Sequence, residues 1–181
     1  MTKTVYILLF RGVGGATQLP VKPLREKLTE AGFEKAATYI NSGNALLASG
    51  KGRETVRKEV AAICKTEFGF DKDIHVVTRA EWAELIAKNP FPDALEVPQF
   101  LHAAVLADDP PKGAVEKLRE LAEGGERIEV VERVAYLHTP NGFGRSKLAE
   151  KFDKGIGVAN TARNWNTVMK LMEMAEAAAA D

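Results

Sequence analysis

The stretch AATYINSGNALLAS, residues 36–49, decides the fold of the first half of the chain. It contains two short runs of strand-like composition, Ala36–Asn41 and Ala45–Ser49, separated by Ser42-Gly43-Asn44. Gly and Asn tolerate the positive φ angles of a tight turn, and Ser can bond to the nearby backbone, so this composition predicts a β-hairpin. The segments on either side of the hairpin then determine which fold is built around it.

Upstream of the hairpin, an apolar strand is predicted at Val5–Arg11, followed by a glycine-rich loop and a helix that ends at Gly32. Downstream, Arg53–Phe68 has apolar residues at helical spacing, and Ile74–Thr78 is typical of a strand. The first half therefore has the predicted order β-α-β-β-α-β, which is the order of a ferredoxin-like unit.

The same order returns in the second half of the chain. The predicted elements are a strand at Phe100–Ala107, a helix at about Lys112–Glu123, strands at Arg127–Glu132 and Val134–Thr139, and a helix near Arg145–Lys154. A final helix is expected from about residue 163, in place of a clear last strand. The predicted fold class is thus α+β, with two tandem ferredoxin-like units of βαββαβ type and a C-terminal helix after the second.

The boundary between the two halves is predicted from proline content. Residues 90–98 contain three of the eight prolines and show no hydrophobic periodicity. This composition is typical of a linker. The chain is therefore expected to divide into an N-terminal unit at 1–89, a linker at 90–98 and a C-terminal unit at 99–181. Before the linker, Thr78 and Glu81 have the spacing of a capping box, which predicts the start of a short helix.

Composition narrows the class of protein. Twenty-five basic residues balance twenty-five acidic ones, so no overall field attracts polyanions. A single cysteine, Cys64, excludes an internal disulfide framework, and its place in a helical apolar stripe predicts a buried, unreactive thiol. The N-terminal apolar run has six residues and no small-residue cleavage site, so we expect a strand there and not a signal peptide. A cytoplasmic protein without a membrane span is the expectation.

Three polar motifs are candidates for a binding site, and each has a structural alternative. The loop Arg11–Gly15 could form an anion-binding nest, or its glycines could serve only a tight turn. The segment Asn141–Lys147 could bind an anion at a helix start, or it could be a capped helix with solvated cations. The segment Thr161–Thr167 is dense in donors and acceptors that could also cap and pair locally, and its Trp165 is more typical of a core residue.

Other kinds of chemistry have little support in the residue pattern. The three histidines, His75, His102 and His138, lie in predicted strands without the spacing of a helical zinc pair, so no metal site and no cofactor is predicted. An RNA-recognition module has the same element order, and Tyr6 and Phe10 could serve as stacking aromatics. Residues 45–49 contain no aromatic side chain, however, which weakens that interpretation.

The motifs taken together resemble a bacterial family of domains of unknown function. They are Leu9–Gly15, Thr38–Asn44, Pro140–Leu148 and Arg163–Thr167, and they correspond to the family patterns RGINVGG, YQSGN, GxGRSKL and TxRNWNT. The resemblance spans nearly the whole chain and implies two ferredoxin-like units with no established activity. One departure is that the first loop lacks the Ile-Asn of RGINVGG, so an Asn that contacts a ligand in relatives would be absent or replaced here.

Our leading functional hypothesis is a cleft that needs both halves and binds a small phosphate- or carboxylate-bearing ligand. No general base is evident, so an enzymatic activity is left open. The alternatives are a nucleic-acid-binding module on the sheet faces and a protein-interaction domain using the sheets or Glu176–Asp181. The predicted ligand-binding residues are Arg11, Ser42, Asn44, Arg145, Ser146, Lys147, Arg163, Asn164 and Asn166.

Overall fold

A computed structural model of the chain describes residues 2–14, 17–40 and 43–180. The strands are β1 (Thr4–Phe10), β2 (Glu34–Tyr39), β3 (Asn44–Ser49), β4 (Ile74–Thr78), β5 (Leu101–Leu106), β6 (Arg127–Val131), β7 (Val134–His138) and β8 (Asn160–Asn164). The α-helices are α1 (Val21–Glu30), α2 (Arg53–Phe68), α3 (Arg79–Ala87), α4 (Ala114–Arg119), α5 (Lys147–Gly155) and α6 (Trp165–Ala179). Short 3-10 helices occupy Pro92–Glu96, Pro98–Phe100 and Phe143–Arg145.

The first sheet is antiparallel and has the strand order β2-β3-β1-β4. Tyr6, Leu8 and Phe10 alternate along β1 and point to one face, where they join a core formed with the apolar stripes of α1 and α2. The buried residues of those stripes are Leu24 and Leu28 on α1 and Val56, Val60 and Cys64 on α2. Hydrophobic periodicity thus places both helices on the same face of the sheet.

The second sheet is also antiparallel and has the order β6-β7-β5-β8. Its core joins Ala104 and Leu106 of β5 to Leu118 of α4 and to Leu148 and Phe152 of α5. Each strand occupies the position that its counterpart has in the first sheet. The prediction of an α+β fold with two tandem ferredoxin-like units and a C-terminal helix is therefore confirmed.

The expectation that the last helix stands in place of a clear last strand is wrong. Residues Asn160–Asn164 form β8, and α6 begins only at Trp165. The strand pairs on one side with β5, with Ala104 opposite Ala162, and it completes the second sheet. Polar residues fill most of this short edge strand, so it lacks the apolar alternation by which strands are recognised.

The predicted capping box at the start of α3 is confirmed. The Glu81 backbone N–H donates to Thr78 Oγ1 at 3.2 Å, and the Thr78 N–H donates to Glu81 Oε2 at 2.9 Å. These two bonds satisfy donors that the first turn of a helix otherwise leaves unbonded. Trp82, four residues after Thr78, is buried.

Contacts between Cα atoms divide the chain into two compact units. The first unit comprises residues 1–84 together with 170–181, and the second comprises residues 85–169. Residues 90–98 fall in the second unit and contain 3-10 turns. The boundaries 1–89, 90–98 and 99–181 remain a prediction about which segments fold independently. Among the described residues, no helix is long and apolar enough to cross a membrane.

Candidate functional site

In the first unit, the loop after β1 and the turn of the β2–β3 hairpin are in direct contact. The Phe10 backbone N–H donates to the Gly43 carbonyl at 2.9 Å. A Cβ atom on Gly43 would lie 2.9 Å from the Phe10 carbonyl oxygen and 2.8 Å from Val13 Cγ2. Only glycine fits this approach at a φ of +82°. Two of the sequence motifs therefore meet at one end of the first sheet.

The predicted site residues in this region have structural roles. Asn44 is buried, and its Nδ2 donates to the Tyr39 carbonyl at 3.3 Å, so its amide helps to close the hairpin. The Arg11 side chain is half-buried, and its backbone N–H donates to the Asp73 carbonyl at 3.0 Å. Ser42 lies outside the described residues. The hypothesis that these residues also bind a ligand stays a prediction.

Gly14 and Thr17, the described residues on either side of Gly15 and Ala16, are paired with each other. Gly14 and Thr17 exchange backbone hydrogen bonds of 2.7 and 3.0 Å, so both of their N–H groups already have acceptors. The following helix, α1, begins only at Val21. A nest needs adjacent N–H groups aimed at an anion, preferably at a helix start. The N–H groups of Gly14 and Thr17 are therefore not available to an anion, and Gly15 lies outside the described residues.

In the second unit, His102 of β5 connects the two other motifs. Its ring lies against that of Phe143, with 4.1 Å between centroids and 31° between planes. On the adjacent strand, Asn164 is its Cα partner in the β5–β8 ladder. The segment that contains Phe143, Arg145 and Lys147 and the end of β8 therefore both approach the same histidine.

Burial determines the charge state of His102. Loss of solvent lowers the pKa of its imidazole to about 4, so the ring is neutral at neutral pH. Its Nδ1 atom is buried and has no hydrogen-bond partner among the described residues. A neutral imidazole can donate or accept at Nδ1, according to its tautomer. His102 was not among the predicted site residues, because a histidine in a strand carries no local sign of a distant aromatic partner.

The start of α5 is capped by Ser146. Its Oγ accepts a hydrogen bond from the Ala149 N–H at 3.0 Å, and the side chain is buried. The capped-helix alternative for this motif is thus confirmed for Ser146. In contrast to Ser146, the neighbouring cations Arg145 and Lys147 are exposed. Neither of them forms an ion pair with a residue that the structure describes.

Asn164 and Arg163 lie on opposite faces of the second sheet, since successive strand residues alternate. Asn164 Oδ1 accepts from the Asn166 N–H at 2.9 Å, and its Nδ2 donates to the Gln99 carbonyl at 2.9 Å, so Asn164 caps α6. Arg163 Nη1 donates to Thr161 Oγ1 at 2.7 Å and to the Ala162 carbonyl at 2.8 Å. Burial lowers the pKa of the Arg163 guanidinium to about 10.

The side chains that follow Arg163 divide between core and solvent. Asn166 has an exposed side chain on the first turn of α6. The interpretation of Trp165 as a core residue is confirmed, because only 3% of its surface is exposed and its ring lies 6.5 Å from that of Tyr136. Of the predicted residues in the second unit, Arg145, Lys147 and Asn166 thus have side chains open to solvent.

Other reactive side chains are unavailable or occupied. Cys64 is fully buried, as predicted, and loss of solvent raises the pKa of its thiol to about 12, which disfavours the reactive thiolate. His138 Nδ1 lies 2.9 Å from Arg127 Nη2. No group of three or more His, Cys, Asp or Glu residues in the described part of the chain could hold a metal ion. Tyr6 and Phe10 belong to the core of the first unit, so they cannot stack on bases.

Comparisons with known proteins bear on the fold and the family. No functionally curated protein matches the chain. The chain is similar to the conserved bacterial protein SP0830 from Streptococcus pneumoniae, with a TM-score of 0.76 and 18% identity, over 96% of this chain and 99% of that one. At this identity the likeness concerns the fold alone. A family model described as "Protein of unknown function (DUF1697)" matches residues 3–136, which is most of the chain. The chain therefore belongs to the DUF1697 family, which agrees with the expectation that it is a member of a family of unknown function.

Proposed function

We propose that the protein binds a small phosphate- or carboxylate-bearing ligand at a surface of the second unit formed by His102, Phe143, Arg145 and Lys147. We call it the His102 surface. The observation that carries this proposal is the pair of unpaired, exposed cations beside the motif segment whose Phe143 packs on His102. Both side chains are exposed and form no ion pair with a residue that the structure describes, so both are available to a ligand.

The chemistry of the His102 surface suits an anion for three reasons. Arg145 can form two parallel hydrogen bonds to a carboxylate or a phosphate, and Lys147 can add a third charge-assisted bond. Both residues lie next to the N-terminus of α5, where the helix dipole favours negative charge. Ser146 and Asn164 are occupied as helix caps, so they would hold the two segments in place while the cations contact the ligand.

The direct test is titration of the full chain with inorganic phosphate, a nucleoside monophosphate and citrate at low salt, followed by calorimetry and thermal shift. We expect Arg145→Ala and Lys147→Ala each to weaken binding of the best anion by about tenfold, the value of one charge-assisted hydrogen bond. The matched control is Lys154→Ala, which removes an exposed cation from the other end of α5. A Lys147→Ala protein that responds to every anion like the wild type would refute the proposal.

The two alternatives have less support. A nucleic-acid-binding role loses its candidate stacking residues, since Tyr6 and Phe10 are buried beneath helices. Among the described residues the exposed large apolar side chains are Ile40, Leu95, Val97 and Met169, a number that is ordinary for a protein surface. Neither alternative rests on a specific contact, so we propose only the anion-binding function.

A further inference from the structure

The first unit contains a groove at the end of its sheet opposite to the motif loops. Its volume is about 560 Å³, which is within the usual range of small-molecule sites. The floor includes Val5 and Ala48, which lie opposite each other on β1 and β3. One wall is the first turn of α3, and another is the end of α6 at Ala178. We call this space the edge groove.

The charged side chains that line the edge groove are mostly basic. Lys3, Lys35 and Arg79 line it, and Glu34 is the one acidic residue among the described lining residues. Lys3 pairs with Glu34, and Arg79 pairs at 3.0 Å with Glu176, which lies outside the lining. The four side chains of these two ion pairs are between 42% and 54% exposed. Ion pairs this exposed stabilise little, so an anionic ligand can replace a carboxylate at small cost.

Lys35 has an unusual backbone. Its φ is +52°, and the register of the β2–β3 ladder shifts between Glu34 and Ala37, which marks a bulge. A bulge reorients the side chain that it carries, and a non-glycine residue in the left-handed region is uncommon and concentrated at functional sites. The strained residue lines the groove and supplies one of its cations. The positive φ angle and the basic side chain of Lys35 thus occur at the lining of the edge groove.

We propose that the edge groove binds a small carboxylate with an apolar body. Lys35 and Arg79 bind the carboxylate, and the apolar body lies on Val5, Ala48 and Ala178. A purely inorganic anion would leave this apolar floor unused, and a neutral apolar molecule would leave the basic lining unused. The site is separate from the His102 surface and does not rest on its function.

The ligand class is tested with a homologous series on the full chain. Acetate, butyrate, hexanoate and the neutral hexanol are titrated at constant ionic strength, and the backbone amides are followed by NMR. We expect hexanoate to shift the amides of Val5, Lys35 and Ala80 and to bind at least tenfold more tightly than acetate, because burial of only about two of its four additional methylenes gives roughly that factor. Hexanol should bind more weakly than hexanoate. Equal affinity for acetate and hexanoate, or shifts confined to the second unit, would overturn the proposal.

Variants locate the site and separate binding from folding. Lys35→Gly removes the cation and suits the positive φ, so we expect about fivefold weaker hexanoate binding with no loss of melting temperature. Ala178→Trp fills the groove and should abolish binding. Lys22→Ala, which removes a side chain that is 75% exposed on α1, should bind hexanoate like the wild type. Wild-type affinity in both Lys35→Gly and Ala178→Trp would rule the groove out as the site.

Discussion

At the scale of single residues, Gly43 determines how closely the hairpin turn approaches the loop after β1. A Cβ atom at this position would lie 2.9 Å from the Phe10 carbonyl oxygen, a backbone atom that cannot rotate away. The φ of +82° adds a second cost for any L side chain. We expect Gly43→Ala to lower the free energy of unfolding by about 1–3 kcal/mol, measured by chemical denaturation.

The matched control for this prediction is Gly50→Ala, in the loop after β3. A Cβ atom on Gly50 would have no heavy atom within 4 Å, and its φ is outside the left-handed region. We expect a change within about 0.5 kcal/mol there. Equal losses of stability at Gly43 and Gly50 would show that the close approach to Phe10 is not what requires glycine.

His102 shows which residue-level features can be predicted from sequence. Its place in a strand follows from the apolar pattern around it. Its ring contact with Phe143 and the burial of Nδ1 cannot be predicted from the local sequence, because both arise from a segment far along the chain. The motif pattern identifies Arg145 and Lys147 as candidates, whereas no local pattern identifies the histidine that packs on Phe143.

At the scale of secondary-structure elements, Ser146 is the residue that starts α5. Replacing it by alanine removes the hydrogen bond from the Ala149 N–H and should lower the free energy of unfolding by about 1 kcal/mol. Ser146→Asp should retain most of the stability, because aspartate is also a good N-cap and its charge suits a helix N-terminus. Thermal and chemical denaturation of the two variants provide the comparison. If both variants lose the same stability, Ser146 does not act as a cap.

The elements also differ in how far sequence alone can predict them. The capping box at Thr78 and Glu81 is a local pattern, and the structure contains both of its hydrogen bonds. The strand β8 is different, because its residues resemble a helix start and become a strand only by pairing with β5. A tertiary partner can override a weak local preference in this way.

At the scale of the whole chain, Arg127 determines where the proline-rich segment 90–98 belongs. Its guanidinium donates to both carboxylate oxygens of Asp93, at 2.7 and 3.2 Å, and lies 4.4 Å from the Phe91 ring. The hydrogen bond from Arg127 also lowers the pKa of the Asp93 carboxyl. Through these contacts, the segment that was predicted to be a linker packs against β6 of the second unit.

We expect Arg127→Ala to release this segment. The N–H groups of Ala94 and Val97 form hydrogen bonds within it, and their hydrogen exchange should become about fivefold faster, since a cation–π contact of this kind contributes about 1 kcal/mol. Arg119→Ala is the control, because Arg119 is similarly exposed and pairs with Glu129 on the same unit at 3.4 Å. Unchanged exchange in Arg127→Ala, or an equal change in Arg119→Ala, would contradict this role.

The sequence by itself determined the order of elements as far as α5, the two ferredoxin-like units, the buried Cys64 and the capped helix starts, because periodicity, turn composition and capping are encoded within a few neighbouring residues. Only the tertiary structure decided that 160–164 forms an edge strand, that Arg163 and Asn164 lie on opposite faces, and that Phe143 packs on His102. The edge groove likewise depends on chain ends and strands that are distant in sequence. Such features result from contacts between remote segments, and no local pattern records which segments will meet.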